Sequence, residues 1–219
     1  MTNRLCKVGG CACRTTRHGL YCKTHDTTSR RHGHPEQKAI RHFDLKPYIE
    51  RVLKRIEKNP DSPVWSIGES RWLDVVAHAQ EVLCSKKATI RWERLAASEV
   101  IKIADCVEPR TIVETALAFY LLAEDQPRRL KSDRAHDFQL ARRVRGLAPL
   151  NVGQWYNHGT GRMQMAYKDI APRTTMYLAN WIKQALGSTG LMLADKERRE
   201  AKSKLQRTSI LYDALSALQ

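Results

Sequence analysis

The sequence lacks any uninterrupted apolar segment near the roughly eighteen residues that a membrane-spanning helix requires. Its first ten residues, MTNRLCKVGG, also lack the apolar core of a secretory signal peptide. We therefore expect a cytoplasmic protein with no membrane partner. In a reducing compartment, closely spaced cysteines are more often metal ligands than disulfide partners.

Acidic residues are scarce relative to basic ones. Lys and Arg number 38, Asp and Glu number 23, and the formal net charge is +15. An excess this large indicates a polyanionic partner, with nucleic acid first and an acidic protein or anionic membrane second. We expect DNA rather than RNA. The simpler interpretation is a surface charge that only keeps the protein in solution.

Familiar catalytic motifs are missing. The sequence contains no Gly-x-Ser-x-Gly, no His-Glu-x-x-His and no P-loop ending in Gly-Lys-Ser/Thr. An HNH-type nuclease needs a general-base histidine with metal-binding partners nearby. His158 beside Asn157 comes nearest to this arrangement, but no second histidine follows it. We therefore expect no enzymatic activity.

Strand-like alternation of useful length is also missing, and helical periodicity dominates after residue 35. These patterns predict a mostly α, multi-helix, bundle-like domain over residues 36–219. The segment 109–124 is apolar on most faces and should form the centre of the core. The first predicted helix has Pro47 in its first turn and ends at 59–63, and Ser70 caps the second. Four more helices are predicted over 90–107, 109–124, 132–147 and 172–187, and Gly187 ends the last of these four. A charged helix is predicted from Ala194 onward.

Four of the six cysteines lie within the first twenty-two residues. Cys6, Cys11, Cys22 and His25 form the pattern Cys-x4-Cys followed by Cys-x2-His, and thiolates with imidazole suit tetrahedral zinc. Cys13 is the alternative to Cys11. The segment has few apolar residues, so metal binding would have to supply its folding energy. We expect a small N-terminal zinc module with a basic arm over residues 1–35.

The stretches CKVGGC and GLYCKTHDTTSRRHGHP resemble a short zinc module of bacteriophage and mobile-element proteins, some of which are HNH endonucleases. The resemblance covers about the first 35 residues. It implies a zinc module close to nucleic acid and a phage-like origin, and hence a bacterial host cell. The matching positions are Cys6, Cys11, Cys22, His25, Gly33 and Pro35.

Three segments hold candidate nucleic-acid contacts. The first 60 residues carry fourteen Lys/Arg against five acids, a predicted helix near 132–147 presents several cations, and 151–173 combines adjacent aromatics with Gly-flanked turns. Such residues contact phosphates or stack on bases. The alternatives are an ordinary solvated helix face, and a hairpin or loop whose aromatics fold inward. The candidates are Arg14, Arg17, Arg30, Arg31, Arg134, Arg142, Arg143, Arg145, Trp155, Tyr156, Arg162 and Lys168.

Together these observations favour a zinc-containing, basic nucleic-acid-binding accessory factor acting in replication, recombination or transcription control. The second hypothesis is a protein-binding adaptor or inhibitor that docks on a host nucleic-acid-processing machine through its basic faces. The third is a divergent metal-dependent nuclease.

Overall fold

The computed structural model describes residues 4–16, 18–85 and 90–216, apart from the side chains of 165, 166 and 211–216. This part of the chain is mostly helical, with one two-stranded sheet and an N-terminal Cys/His cluster, which confirms the predicted fold class. Its elements are α1 Lys23–His32, α2 His42–Lys58, α3 Pro63–Cys84, α4 Arg91–Ala104, α5 Pro109–Asp125, a 3-10 turn Pro127–Arg129, α6 Asp133–Arg145, a 3-10 turn Pro149–Asn151, β1 Val152–Asn157, β2 Arg162–Tyr167 and α7 Pro172–Ser216.

Helix α5 lies at the centre of the core, as its all-round apolar sequence predicts. Ten of its seventeen residues are buried, and it packs against α2, α3, α6 and α7. A separate small cluster of buried side chains, Cys6, Val8 and Cys22, belongs to the N-terminal segment. The boundary at residue 35 between module and helical body stays a prediction. None of the described helices is both long and apolar enough to span a membrane.

The prediction that a helix ends at Gly187 is wrong, because Gly187 lies inside α7. Helix α7 continues for 45 residues, about 68 Å at 1.5 Å per residue. Gly187 and Gly190 face Tyr120 of α5: a Cβ on Gly190 would lie 2.2 Å from the Tyr120 ring. These glycines allow two helices to approach closely, and the segments 172–187 and 194–216 form one helix.

Two predicted helix starts are also wrong. Helix α3 begins at Pro63, with Ser62 at its N-cap, so Ser70 lies inside the helix. Proline suits the first helical position because its missing N–H is not needed there. Helix α2 begins at His42, and the Asp44 carboxylate accepts a 2.6 Å hydrogen bond from the Arg41 N–H. That bond starts the helix five residues before Pro47.

The sequence pattern predicted no strands, although a hairpin or loop was one alternative for residues 151–173, and the structure forms the hairpin β1–β2 there. Trp155 pairs with Gln164 and Tyr156 with Met163, so the two aromatics lie on opposite faces. Trp155, Tyr156 and Met163 are 49%, 48% and 60% exposed. Both faces of the outer hairpin therefore meet solvent, and no apolar–polar alternation marks the strands. The interpretation that these aromatics fold inward is wrong.

Candidate functional site

Cys6, Cys11, Cys22 and His25 form one cluster of metal-ligating side chains, with their ligand atoms all within 4.8 Å of one another. His25 Nδ1 lies 3.4 Å from the Sγ atoms of both Cys6 and Cys22, and the Sγ atoms of Cys11 and Cys22 are 4.0 Å apart. Ligand atoms of a tetrahedral ion bound at about 2.0–2.3 Å are about 3.5–3.8 Å apart. The cluster therefore fits a single metal ion.

Backbone geometry selects Cys11 over Cys13. The Cys11 N–H donates to the Val8 carbonyl at 3.1 Å, and Gly10 closes this turn with φ +76°, a conformation that favours glycine. This turn brings the Cys11 thiol towards Cys6 and Cys22. The thiol of Cys13 is exposed, and its carbonyl accepts from the Cys6 N–H at 3.0 Å. Cys13 thus contributes its backbone to the module.

The surroundings within the cluster shift the pKa values of the Cys6 and Cys11 thiols in opposite directions. Burial opposes ionisation of Cys6, but hydrogen bonds from the backbone of Cys22 and Val8 and from His25 lower the pKa of its thiol to about 6. A backbone hydrogen bond at Cys13 favours the thiolate of Cys11, yet burial and the neighbouring thiols raise its pKa to about 11. A bound cation would favour the thiolate form of both cysteines, because metal binding releases the thiol protons.

Helix α1 contributes His25 to the cluster, has Cys22 at its N-cap, and docks on the helical body. It ends at Gly33, where φ is +85° and an added Cβ would lie 2.5 Å from the Arg134 carbonyl oxygen. Near the same end, Arg31 Nε pairs with the Asp169 carboxylate at 2.8 Å. The Gly33 contact joins the module to α6, and the Arg31 pair joins it to the residues that follow the hairpin.

Gln139 of α6 adds a buried polar link to the module. Its Nε2 donates to His32 Nδ1 at 3.1 Å, and its Oε1 accepts from the Ile40 N–H at 2.9 Å. Burial and the nearby charge of Arg142 lower the pKa of His32 to about 4. His32 is therefore neutral at neutral pH and can accept this hydrogen bond.

Arg145 lies in the core, so the prediction that it lines an exposed helix face is wrong. It is 3% exposed and pairs with Glu99 of α4, whose carboxylate is also buried. Its guanidinium also donates to Asn151 Oδ1 at 3.0 Å and to the Lys168 carbonyl. Arg145 therefore anchors both ends of the hairpin to the helical body.

The other α6 cations differ in their surroundings. Arg142 pairs with Asp169, and its guanidinium lies 4.1 Å from the Tyr167 ring centroid. Burial lowers the pKa of Arg143, whose Nε has no hydrogen-bond partner among the described residues. Neither lies on a freely exposed face. Arg134, at the start of α6, is the one of these four arginines that is exposed.

The remaining candidate contacts lie on the module and the hairpin. Trp155, Tyr156, Arg162 and Lys168 are exposed on the hairpin or at its end. Arg14 and Arg30 are exposed on the module, and Arg31 is exposed but paired with Asp169. Arg17 lies outside the described residues.

A cationic cleft was missed by the sequence analysis. Its volume is about 750 Å³, and Phe43, 79% exposed, lies in its lining. The cleft forms where residues 36–44 meet residues 128–131, about ninety positions apart in the chain. The available signal in the sequence was Phe43, a large apolar residue directly after Arg41 and His42. The lining residues are Glu36, Lys38, Ala39, Arg41, Phe43, Asp44, Arg128, Arg129 and Lys131.

Gln37 holds the two sides of this cleft together. Its side chain is 2% exposed, its Nε2 donates to the Arg129 carbonyl at 3.2 Å, and its Oε1 accepts from the Lys131 N–H at 3.0 Å. The cleft and the metal cluster are thus connected through residues 33–37. No protein-family model, curated protein or solved structure matches this chain.

Proposed function

We propose that this protein binds nucleic acid, with single strands preferred, and that the cationic cleft is its main contact surface. The observation that carries the proposal is the set of unpaired cations around an exposed phenylalanine. Five Lys/Arg and two acids line the cleft. One of those acids, Asp44, pairs with Arg129 at 2.7 Å. Lys38, Arg41, Arg128 and Lys131 have no ion-pair partner among the described residues, so a phosphate backbone would supply it.

Phe43 supports single-stranded over duplex nucleic acid. It is 79% exposed although it is a large apolar side chain. Bases stack on aromatic rings, and stacking contributes about 1–3 kcal/mol per base. A base is available for this contact when it is unpaired. The cleft therefore combines the two components of single-strand binding, which are a cationic path for phosphates and an aromatic surface for bases.

The module extends the cationic surface beyond the cleft. Arg134 lies against Gly33, where the module meets α6, and Arg14 and Arg30 are exposed on the module itself. The hairpin adds exposed aromatics and cations, and residues 151–168 contain no acid. Exposed aromatics of such a hairpin can stack on unpaired bases, and its cations can contact phosphates. We assign Trp155, Tyr156, Arg162 and Lys168 to this second contact.

In the same proposal, the Cys/His cluster holds zinc in a structural role. Three thiolates and one imidazole are a donor set that zinc prefers, and four protein ligands leave no open position for a reacting water. The ion would fix the module and thereby present its cations. The nuclease hypothesis gains no support, because the described residues contain no second cluster of three or more metal-ligating side chains.

The experiment compares two charge-matched double variants in binding to a labelled poly(dT) oligonucleotide. Arg128→Ala with Lys131→Ala removes two phosphate contacts, so affinity should fall about tenfold at physiological salt. Lys54→Ala with Lys58→Ala removes two exposed cations of α2 outside the cleft and should change affinity about twofold or less. Equal losses in both variants would contradict the cleft as the contact surface.

A role in replication, recombination or transcription control, a phage or mobile-element origin, a cytoplasmic location and the preference for DNA over RNA stay predictions from the sequence. The adaptor hypothesis is supported by a different surface, an apolar groove between α3 and α7.

A further inference from the structure

An apolar groove separates the first turns of α3 from the middle of α7. Its volume is about 400 Å³, within the range of ligand-binding clefts. Trp65 and Leu193 line its inner part, and both are buried. Val64, Ile67 and Met192 line its edge and are 41%, 45% and 74% exposed. Three exposed apolar side chains along one groove indicate an interaction surface rather than isolated surface residues.

The groove carries positive charge and no carboxylate among its lining residues. Arg71 Nη1 donates to Ser188 Oγ at 3.1 Å and lies 3.4 Å from Thr189 Oγ1. Lys196 lines the groove further along α7. Within the described residues, neither Arg71 nor Lys196 has an ion-pair partner. Arg55 also lines the groove, but Glu197 and Glu200 neutralise it.

The dimensions suit a short helix. Ser188 and Lys196 are eight positions apart on α7, so the groove extends about 12 Å along that helix. An amphipathic helix places apolar side chains at i, i+4 and i+7 over about the same distance. Its acidic residues beside those anchors would meet Arg71 and Lys196.

We propose that this groove binds an acidic amphipathic helix of a partner protein. The inference goes beyond nucleic-acid binding and involves none of the residues of the cationic cleft. A second copy of the chain is a poorer fit, because residues 201–210 of the exposed end of α7 carry three cations and no acid. Like charges would then meet at Arg71 and Lys196.

The test uses a labelled synthetic peptide with Leu at i, i+4 and i+7 and Glu and Ala elsewhere, titrated with the full chain and followed by fluorescence anisotropy. Its scrambled isomer has the same composition but no apolar face. The designed peptide should bind saturably with a Kd below about 100 μM, and the isomer should bind at least about tenfold more weakly. Absence of saturable binding, or equal binding of both peptides, would overturn the proposal.

Substitutions inside and outside the groove identify the site where the peptide binds. Met192→Glu and Arg71→Ala should each weaken its binding about tenfold, whereas Leu205→Glu, on an exposed part of α7 outside the groove, should leave it unchanged. Circular dichroism verifies that each variant is folded. Peptide binding that Met192→Glu leaves intact would place the peptide elsewhere and refute the assignment.

Two further outcomes separate this inference from its alternatives. Arg128→Ala with Lys131→Ala should leave peptide binding unchanged, so a failure of the cleft proposal and a failure of the groove proposal are distinguishable. If sedimentation finds a dimer that Met192→Glu converts to a monomer, a second copy occupies the groove and the proposal is wrong.

Discussion

In the N-terminal segment, the choice between two nearby cysteines, Cys11 and Cys13, decides which four side chains form the metal cluster. Cys11 and Cys13 are both close enough in sequence to serve as ligand, and the spacing of the cysteines alone leaves the choice open. The turn closed by Gly10 brings Cys11 inward, while Cys13 points its thiol to solvent. The sequence therefore predicted the donor set, and the backbone resolved its one ambiguity.

Removal of individual thiols tests this assignment. Cys13→Ser should retain about one zinc per chain, because its thiol is no ligand, whereas Cys11→Ser and Cys22→Ser should lose most of it. Elemental analysis of the purified variants measures the zinc content. The α-helical circular dichroism of the body should remain in all three, since its core is separate. Zinc lost in Cys13→Ser but kept in Cys11→Ser would contradict the assignment.

Arg145 is a second position where one side chain has a large effect on the structure, and its place in a run of arginines wrongly predicted an exposed site. Basic residues are rarely buried, so a run of arginines in a helix indicates a solvated face. The exception arises because Glu99, 46 positions away, neutralises Arg145 inside the core. Burial opposes ionisation of Glu99, yet hydrogen bonds from Lys102 and Arg145 lower the pKa of its carboxyl. A partner that remote cannot be identified from one sequence.

Arg145→Ala should lower the free energy of unfolding by about 3–5 kcal/mol, because it leaves the buried Glu99 carboxylate with Lys102 alone and removes the hydrogen bonds to Asn151 and to the Lys168 carbonyl. Lys168→Ala is the matched control: it removes an exposed cation nearby, while its carbonyl still accepts from Arg145, so its effect should be about 0.5 kcal/mol or less. Urea denaturation measures both. A loss below about 1 kcal/mol in Arg145→Ala would show that the pair is not needed.

At the scale of elements, most helices follow from apolar periodicity, and the errors concern their ends. Proline and serine mark both helix starts and helix stops, so residues 59–63 fit either interpretation. Glycine has the same ambiguity in α7, where Gly187 resembles a C-terminal cap. The packing of Tyr120 against Gly187 and Gly190 decides this case, and that contact joins helices far apart in sequence.

Gly190→Ala tests the close approach of α5 and α7. Alanine is about 1 kcal/mol better than glycine as a helix former, so an uncrowded site would be stabilised. Here the new Cβ would lie 2.2 Å from the Tyr120 ring, and we expect a net loss of about 1–3 kcal/mol in the free energy of unfolding. Gln184→Ala, at an exposed site of the same helix, should change it by about 0.5 kcal/mol or less. Stabilisation by Gly190→Ala would contradict this packing.

The two strands of the hairpin were not predicted, for a different physical reason. Strand patterns arise when one face is buried, and this hairpin exposes both faces near its tip. The same exposure supports its proposed role as a second contact. Its aromatics and cations were recognised from the sequence, and a hairpin or loop with its aromatics folded inward was one of the alternatives.

Trp155→Ala should weaken binding of a single-stranded oligonucleotide about fivefold or more, and duplex binding less, because stacking needs an unpaired base. Met163→Ala truncates a similarly exposed side chain on the opposite face of the hairpin and serves as control. Fluorescence anisotropy measures both variants on both substrates. Equal losses on single strands and duplex would argue against stacking at Trp155.

At the scale of the whole molecule, the sequence predicted a basic surface, and the fold changes which cations compose it. Arg142 and Arg145 are paired within the protein, whereas Lys38, Arg41, Arg128 and Lys131 meet around Phe43. The net charge follows from the composition and can be predicted. The position of a cleft depends on which segments, distant in the chain, lie next to each other in the fold. Gln37 makes that junction through hydrogen bonds to residues 129 and 131, which no local pattern encodes.

The salt dependence of binding to a single-stranded oligonucleotide shows whether the cationic cleft binds nucleic acid. Four phosphate contacts in the cleft predict a slope of log affinity against log salt of about −3, and module or hairpin contacts would steepen it. Nucleic-acid binding through the cleft should give this slope together with a Kd well below about 100 μM at physiological salt. A Kd above that value for every nucleic acid tried, or a slope near zero, would contradict nucleic-acid binding as the function of this protein.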